Sequence, residues 1–222
     1  MIRKVSFFFA AALLATFGSA RAQQPQPKTK FEKQLDRVDL GVSAAGLFNS
    51  TVAGTVDPKG TAANIGTTVS DEPSNTVGEL VNLRYIARPM FGLELNFVNA
   101  RYTENYSYPP PTFGVQTGVR EFSFGYLVTP KQTIFSLHPF LSAGMGTTEF
   151  KPTAHGGEGL PVKARATYYY SLGVQDDLSP HFGLRVAFRQ AFFLAPDFGQ
   201  NYLTILQHTS SYEPTAGFYL RF

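Results

Sequence analysis

The residues His208 and Ser210 come closer to nucleophilic chemistry than other combinations in this sequence. A histidine can act as a base for a serine hydroxyl if the two side chains lie within hydrogen-bonding reach and a carboxylate orients the histidine. Glu213 and Asp197 are the acidic residues placed to supply that carboxylate. A single loop histidine near a serine is more often ordinary surface chemistry, so we expect no catalytic residue and no enzymatic activity.

Metal and cofactor chemistry have little support in the sequence. The four histidines are scattered along the chain, at His138, His155, His181 and His208. None of them has a second histidine or a cysteine at the spacing of metal ligands. The glycine-rich stretch 156–159 lacks the strand, lysine and helix of a phosphate-binding loop. We therefore predict no cofactor, no cofactor-binding residue and no metal ligand.

Charged side chains recur at alternate positions within segments that are otherwise apolar. One face of these segments carries four arginines and three acids, namely Arg84, Arg185, Arg189, Arg221, Asp39, Glu94 and Glu121. If this face lines a narrow interior, its nearly balanced charges predict a plug of ion pairs, because unpaired buried charge is costly. We expect Arg185 and Arg189 to pair with Glu94 or Glu121. The alternative is a gated or narrow ion pathway.

Eight segments show the period-two alternation of β-strands with unlike faces. They are residues 38–48, 76–86, 91–103, 112–128, 138–150, 163–175, 181–193 and 211–222. Each reaches the roughly 9–11 residues that cross a bilayer at a tilt. The connections are mostly long after odd-numbered strands and mostly short after even-numbered ones, which is typical of outer-membrane barrels and places both termini in the periplasm. The fold predicted for residues 38–222 is all-β, an eight-stranded antiparallel transmembrane β-barrel with an up-and-down meander.

The start of the chain has the features of a secretory signal peptide over residues 1–22. A basic pair, Arg3 and Lys4, precedes an apolar core, and small residues surround the expected cleavage site after Ala22. Residues 23–37 are expected to form a flexible periplasmic leader. The 19 basic residues of the chain include Arg3, Lys4 and Arg21, so 16 would remain against 16 acidic residues. This balance argues against nucleic-acid binding. Because the chain has no cysteine, we expect neither a lipoprotein anchor nor disulfides.

The last strand alternates up to the final residue and ends on an aromatic side chain. This segment resembles the C-terminal signal of bacterial outer-membrane barrels, with Thr215, Gly217, Leu220 and Phe222 in the corresponding places. The resemblance implies that the barrel-assembly machinery recognises Gly217, Leu220 and Phe222, and that the chain resides among the lipids of the outer membrane. Together with the signal peptide, the terminal Phe222 favours the membrane orientation of the two faces, since a membrane barrel turns its apolar residues to lipid and its polar ones to the lumen.

Two further stretches widen this resemblance. Residues 138–146 resemble a strand of OmpA-like outer-membrane β-barrel domains, and residues 173–185 resemble the penultimate hairpin of that family, whose arginine (here Arg185) lies in the lumen. His208 and Ser210 also have the His-x-Ser order of outer-membrane lipid A deacylases. The residues that follow, Ser211 and Tyr212, depart from the motif of those enzymes.

These observations predict an integral protein of the bacterial outer membrane with a structural or surface-contact role. The contacts would be made by the loops 49–75, 104–112, 151–163 and 194–210, while polar and charged side chains plug the lumen. One alternative is a narrow channel or carrier for small or hydrophobic solutes, and another is a lipid-modifying enzyme. The sequence does not identify the partner of the loops.

Overall fold

The computed structural model describes residues 29–56, 65–107 and 112–222. Ten β-strands make up most of this part of the chain, with one short α-helix and one 3-10 turn. The elements are α1 (Lys30–Leu35), β1 (Val38–Asn49), β2 (Val52–Thr55), β3 (Thr68–Pro73), β4 (Thr76–Arg88), β5 (Phe91–Ser107), β6 (Phe113–Val128), β7 (His138–Pro152), β8 (Lys163–Ser179), β9 (Phe182–Leu194), the 3-10 turn (Asn201–Leu203) and β10 (His208–Arg221).

Eight long strands, β1 and β4–β10, form a closed antiparallel barrel in which each strand pairs with its sequence neighbours. Closure is made by β1 and β10, with Val42 opposite Phe218 and Asn49 opposite Ser211. Closure satisfies the backbone groups of both terminal strands, which an open edge in lipid would leave unpaired. The predicted fold class is confirmed, and each predicted strand lies within a few residues of the observed one.

The helix α1 lies within the stretch predicted to be a flexible leader. Its first turn is held by a capping box, in which the N–H of Glu32 donates to Thr29 Oγ1 (3.2 Å) and Glu32 Oε2 accepts the N–H of Thr29 (2.6 Å). The predicted signal peptide and residues 23–28 of the leader lie outside the described residues. No helix among the described residues is both long and apolar enough to span a membrane.

The strands β2 and β3 form a hairpin inside the predicted loop 49–75, where the sequence indicated no strand. β3 pairs with the far end of β5, from Ser70 opposite Ser107 to Pro73 opposite Glu104. It thus continues the ladder that β4 makes with the first part of β5. The 17-residue strand β5 extends beyond the end of β4, and β3 satisfies backbone groups that would otherwise be unpaired.

The two faces of the barrel wall have opposite polarity. An exposed apolar belt surrounds it, formed by Val42, Leu83, Leu93, Leu95, Phe122, Phe124, Tyr126, Leu141, Met145, Tyr168, Tyr170, Leu172, Leu184, Val186, Phe188, Phe218 and Leu220. Most inward residues at the same level are polar or charged, and they are buried together with a few rings such as Phe140, Tyr169 and Tyr219. This inverted arrangement is that of a membrane barrel.

Strand β5 reverses this polarity along its length. From Phe91 to Phe97 its outward residues are apolar, whereas beyond Asn99 the outward residues are polar and the inward residues Ala100, Tyr102 and Tyr106 are buried among other apolar side chains. The part of the barrel beyond the apolar belt, away from the start of β1 and the end of β10, is therefore built like a soluble protein. We call this part the mouth.

Candidate functional site

Ion pairs fill the interior at the level of the apolar belt, beginning with Arg84 and Glu94 on the neighbouring strands β4 and β5. Arg84 Nη2 lies 2.5 Å from Glu94 Oε2, and both side chains are about 3% exposed. The other oxygen, Glu94 Oε1, accepts hydrogen bonds from Asn96 Nδ2 (2.9 Å) and Ser142 Oγ (3.0 Å). The carboxylate is thereby satisfied from three strands, as a buried charge requires.

A second ion pair joins Arg185 of β9 to Asp39 of β1. Arg185 Nη2 lies 3.0 Å from Asp39 Oδ1, and Nη1 donates to Asn82 Oδ1 at 2.8 Å. The guanidinium group also lies over the ring of Tyr219, 4.5 Å from its centroid. The predicted inward position of Arg185 is confirmed, but its partner is Asp39. The prediction of Glu94 or Glu121 as that partner is wrong, because Arg84 and Arg189 occupy those acids.

Arg189 forms the third group by bridging two acids. It contacts Glu121 of β6 across the lumen and Glu213 of the neighbouring strand β10, and it lies 4.6 Å from the centroid of the Tyr169 ring. The pairing with Glu121 was predicted, whereas Glu213 was considered only as a possible partner of His208. Extending the alternation of β10 back from Thr215 would have placed Glu213 on the lumen face.

The fourth predicted lumen arginine, Arg221, lies at the barrel rim where β1 begins and β10 ends, which we call the terminal end. Its Nη1 is 3.2 Å from Asp177 Oδ2, and the two side chains are 32% and 36% exposed. A cavity of about 590 Å³ opens at this end and reaches inward to Asp39 and Gln175. The interior is therefore accessible from the terminal end down to the ion pairs.

Apolar side chains fill the mouth above these ion pairs. This mouth core consists of Ala45, Leu47, Val56, Val69, Leu80, Val98, Ala100, Tyr102, Tyr106, Val115, Val119, Phe150, Phe193, Ala195, Phe198, Leu203 and Ile205. Its last members belong to the connection between β9 and β10, part of the predicted loop 194–210. Phe198, Leu203 and Ile205 are at most 4% exposed, so this connection fills the mouth instead of extending into solvent. This mouth core was not predicted from the sequence.

Asp197 holds the connection in place. Its carboxylate lies 3.0 Å from Lys163 Nζ and 2.9 Å from Arg165 Nη2, and it accepts the N–H of Gly199 at 3.0 Å. Burial alone would raise the pKa of Asp197, but these donors outweigh it and lower the pKa below its ordinary value. The Tyr106 hydroxyl donates to the carbonyl oxygen of Pro196 at 2.6 Å and fixes the same segment from β5.

Two carboxyl groups, Asp71 of β3 and Glu104 of β5, are completely buried in the mouth. They contact each other, the Tyr102 hydroxyl lies beside Glu104, and neither carboxyl group receives a hydrogen bond from a described N–H group or cation. Burial raises the pKa of Asp71 to about 7, and burial together with Asp71 raises the pKa of Glu104 well above its ordinary value. A proton is therefore held at the junction between the β2–β3 hairpin and the wall.

The residues considered for nucleophilic chemistry are not brought together. Ser210 Oγ lies 3.2 Å from Ser50 Oγ, and His208 is exposed at the start of β10. Glu213 pairs with Arg189 in the lumen, and Asp197 pairs with Lys163 and Arg165 in the mouth. Within the described ranges, no group of three or more histidine, cysteine or acidic residues could hold a metal ion.

The terminal strand packs closely against β1. At Gly217, an added Cβ atom would lie 2.1 Å from the carbonyl oxygen of Val42, so a larger residue would displace the seam that closes the barrel. Leu220 and Phe222 point outward and are 41% and 50% exposed, as the predicted apolar face of this strand requires. The ring of Phe218 lies 6.0 Å from that of Phe182, centroid to centroid.

Comparison with known proteins finds similarity at the level of the fold alone. No protein-family model matches the chain, and no curated protein matches it. The crystal structure of the outer membrane protein OprG from Pseudomonas aeruginosa is similar, with a TM-score of 0.61 and 11% identity over 83% of this chain and 95% of that one. Neisserial surface protein A is also similar, with a TM-score of 0.51 and 12% identity over 83% of this chain and 97% of that one. The shared feature is the fold of a small outer-membrane barrel.

Proposed function

We propose that this chain is an integral outer-membrane protein that acts through surface contacts at its mouth and neither conducts solutes nor catalyses a reaction. The observation that carries this proposal is the double filling of the interior. Ion-paired side chains occupy the level of the apolar belt, and the mouth core occupies the level above it. The cavity at the terminal end is in this interpretation a blind vestibule.

Residence in the bacterial outer membrane is supported by the inverted polarity of the wall and by the fold shared with outer-membrane barrels. In this proposal the chain is an OmpA-like barrel with its termini in the periplasm. The barrel-assembly machinery recognises Gly217, Leu220 and Phe222 of the last strand. The exposed positions of Leu220 near the end of β10 and of Phe222 directly after it are consistent with such recognition.

The two alternatives from the sequence have less support. A channel or carrier would need a passage where Phe198 and Leu203 are buried in the mouth core. A lipid-modifying enzyme would need a carboxylate beside His208, whereas Glu213 and Asp197 are paired elsewhere. What remains available for function is the outer surface of the mouth.

Single cysteines can test this proposal cleanly, because the chain contains none of its own. Ala154 and Lys131 are both exposed, in the mouth and at the terminal end respectively. In intact cells, Ala154→Cys should react with a membrane-impermeant maleimide, whereas Lys131→Cys should react only after the outer membrane is permeabilised. Recovery of the protein as a soluble periplasmic species, or the opposite labelling pattern, would contradict the proposed location.

Conduction can be tested separately with the purified barrel in planar bilayers. We expect no steady ion current from the wild type, because both levels of the interior are filled. A stable single-channel current in the unmodified protein would refute the sealed interior and favour the narrow-channel alternative.

A further inference from the structure

Three cations lie side by side on the outer wall, just above the apolar belt on the mouth side. Arg101 of β5 and Lys151 of β7 flank Gly118 of β6 in register, and Arg120 lies one outward position closer to the belt. All three side chains are exposed. They come from three consecutive strands, so the backbone ladders of the barrel fix their relative positions.

The cations line a groove of about 710 Å³. At its floor, a Cβ atom added to Gly118 would meet only the carbonyl oxygen of Lys151, at 3.7 Å, so the floor is open. The connection after β7 forms one side of the groove and is tied to β6, because Thr153 N donates to the carbonyl oxygen of Gln116 at 2.8 Å. The groove is therefore a built feature of the wall.

The positive charge in the groove is only partly compensated. Among the described residues, Arg120 and Lys151 form no ion pair, and Arg101 donates to the neutral side chain of Gln116. Glu79 also lines the groove, where it accepts a hydrogen bond from Asn99 Nδ2 at 2.8 Å. Glu149 lies opposite Arg120 in the ladder without pairing with it. The groove thus has free cationic donors for an anion with several oxygens.

An apolar groove of about 350 Å³ continues below the cationic one. It is lined by Val81, Leu83, Leu95, Phe97, Phe122 and Phe124. The rings of Phe97 and Phe122 lie 4.8 Å apart, centroid to centroid, one outward position below Asn99 and Arg120. A polar anionic group above and a hydrocarbon chain below would therefore be bound by adjacent parts of the same surface.

We propose that this surface binds a phosphorylated lipid of the membrane leaflet on the mouth side. Its phosphate contacts Arg101, Arg120 and Lys151, and one acyl chain lies along Phe97 and Phe122. Basic side chains at the membrane surface attract anionic headgroups, and buried methylene groups add affinity. This inference rests on the proposed membrane location, because the level of the cations relative to the belt matches a headgroup region.

The test measures lipid binding to the purified, folded barrel in detergent by native mass spectrometry. The probes are phosphatidic acid, phosphatidylcholine with the same acyl chains, and inorganic phosphate. We expect phosphatidic acid to bind most tightly. The double variant Arg120→Gln with Lys151→Gln should weaken its binding by about thirtyfold, since each exposed cation near a headgroup contributes about a factor of five. The matched control, Arg88→Gln with Lys131→Gln at the terminal end, should change binding less than twofold.

Three results would overturn the proposal. Equal binding of phosphatidic acid and phosphatidylcholine would mean that the belt binds acyl chains without discriminating between headgroups. Inorganic phosphate that displaces phosphatidic acid at similar concentration would indicate a free-phosphate site. An unchanged affinity of the Arg120→Gln and Lys151→Gln double variant for phosphatidic acid would show that these cations do not contribute to binding. The assay does not depend on where the protein resides in the cell, so failure here is separable from failure of the proposed location.

Discussion

The bridge made by Arg189 allows a sharp test of how the barrel interior is stabilised. Its guanidinium group is 2% exposed and contacts both Glu121 and Glu213, which are themselves buried. The variant Arg189→Ala removes the cation and leaves two buried carboxyl groups without their ion-pair partner. We therefore expect this single truncation to be among the most destabilising changes in the barrel.

The expected magnitude follows from the environment of the pair. Breaking a buried ion pair by removing one partner costs about 3–5 kcal/mol, because the remaining charge is not compensated. Loss of the contact with the Tyr169 ring adds about 0.5–2 kcal/mol. By contrast, the pair of Arg221 with Asp177 is about one-third exposed, and such pairs contribute about 0–1 kcal/mol. Arg221→Ala is therefore the matched control.

The measurement is urea unfolding of the refolded barrel in lipid vesicles, together with the heat-modifiable shift on gels. Arg189→Ala should lower the free energy of unfolding by several kcal/mol, and Arg221→Ala by less than about 1 kcal/mol. Neutralising the whole group with Arg189→Met, Glu121→Gln and Glu213→Gln should recover most of the loss, since no unpaired charge then remains. If Arg189→Ala is no worse than the control, or if the triple variant recovers nothing, the ion pairs are not what stabilises this level.

Two further predictions concern the two ends of the barrel. Burial raises the pKa of Asp71 from 3.8 to about 7, so Asp71 keeps its proton while β3 is docked on β5 and loses it when β3 undocks. Docking of β3 is therefore strongest below about pH 4 and weakens as the pH rises to about 7. Amide exchange in β3, corrected for its intrinsic pH dependence, should accelerate over this range, and much less so in Asp71→Asn, which removes the titrating carboxyl group; a flat wild-type profile would contradict this. Deleting Phe222 should reduce assembly in cells far more than refolding in detergent, because only assembly in cells requires recognition. Equal and small effects in both assays would make Phe222 an ordinary strand end.

The wall of the barrel could be predicted from the sequence because lipid and lumen impose unlike side chains at alternate positions. Strand β9 illustrates this, since Leu184, Val186 and Phe188 face outward while Arg185 and Arg189 face inward, as predicted. The pairing partners were harder to predict, because they depend on which strands face one another across the lumen. Alternation along a strand contains no information about the distance between β9 and β1 or β6.

The mouth was not predicted because its inward residues are mostly apolar, whereas those of the wall below it are mostly polar. In β5 the inward residues change from Glu94 and Asn96 to Ala100 and Tyr102, so one strand carries two opposite patterns. The hairpin of β2 and β3 was hidden by its polar composition, since Asp71 is buried in a position where an apolar residue would be expected. A reversal of polarity along a single strand is the sequence signal that could have located the mouth.

The lumen ion pairs also limit the ways in which the strands can be aligned during assembly. The apolar belt is nearly uniform, so by itself it would tolerate a strand displaced by two residues along its neighbour, which would still separate the lumen ion pairs. A shift of β9 by one residue, however, would turn Arg185 and Arg189 towards lipid, at a cost of about 2–4 kcal/mol each near the bilayer midplane. It would also leave Asp39 and Glu121 without their ion-pair partners. A misaligned barrel is thus destabilised both by charges in the lipid and by unpaired acids in the lumen. The lumen side chains, which do not contact lipid in the correct barrel, therefore favour the correct strand alignment.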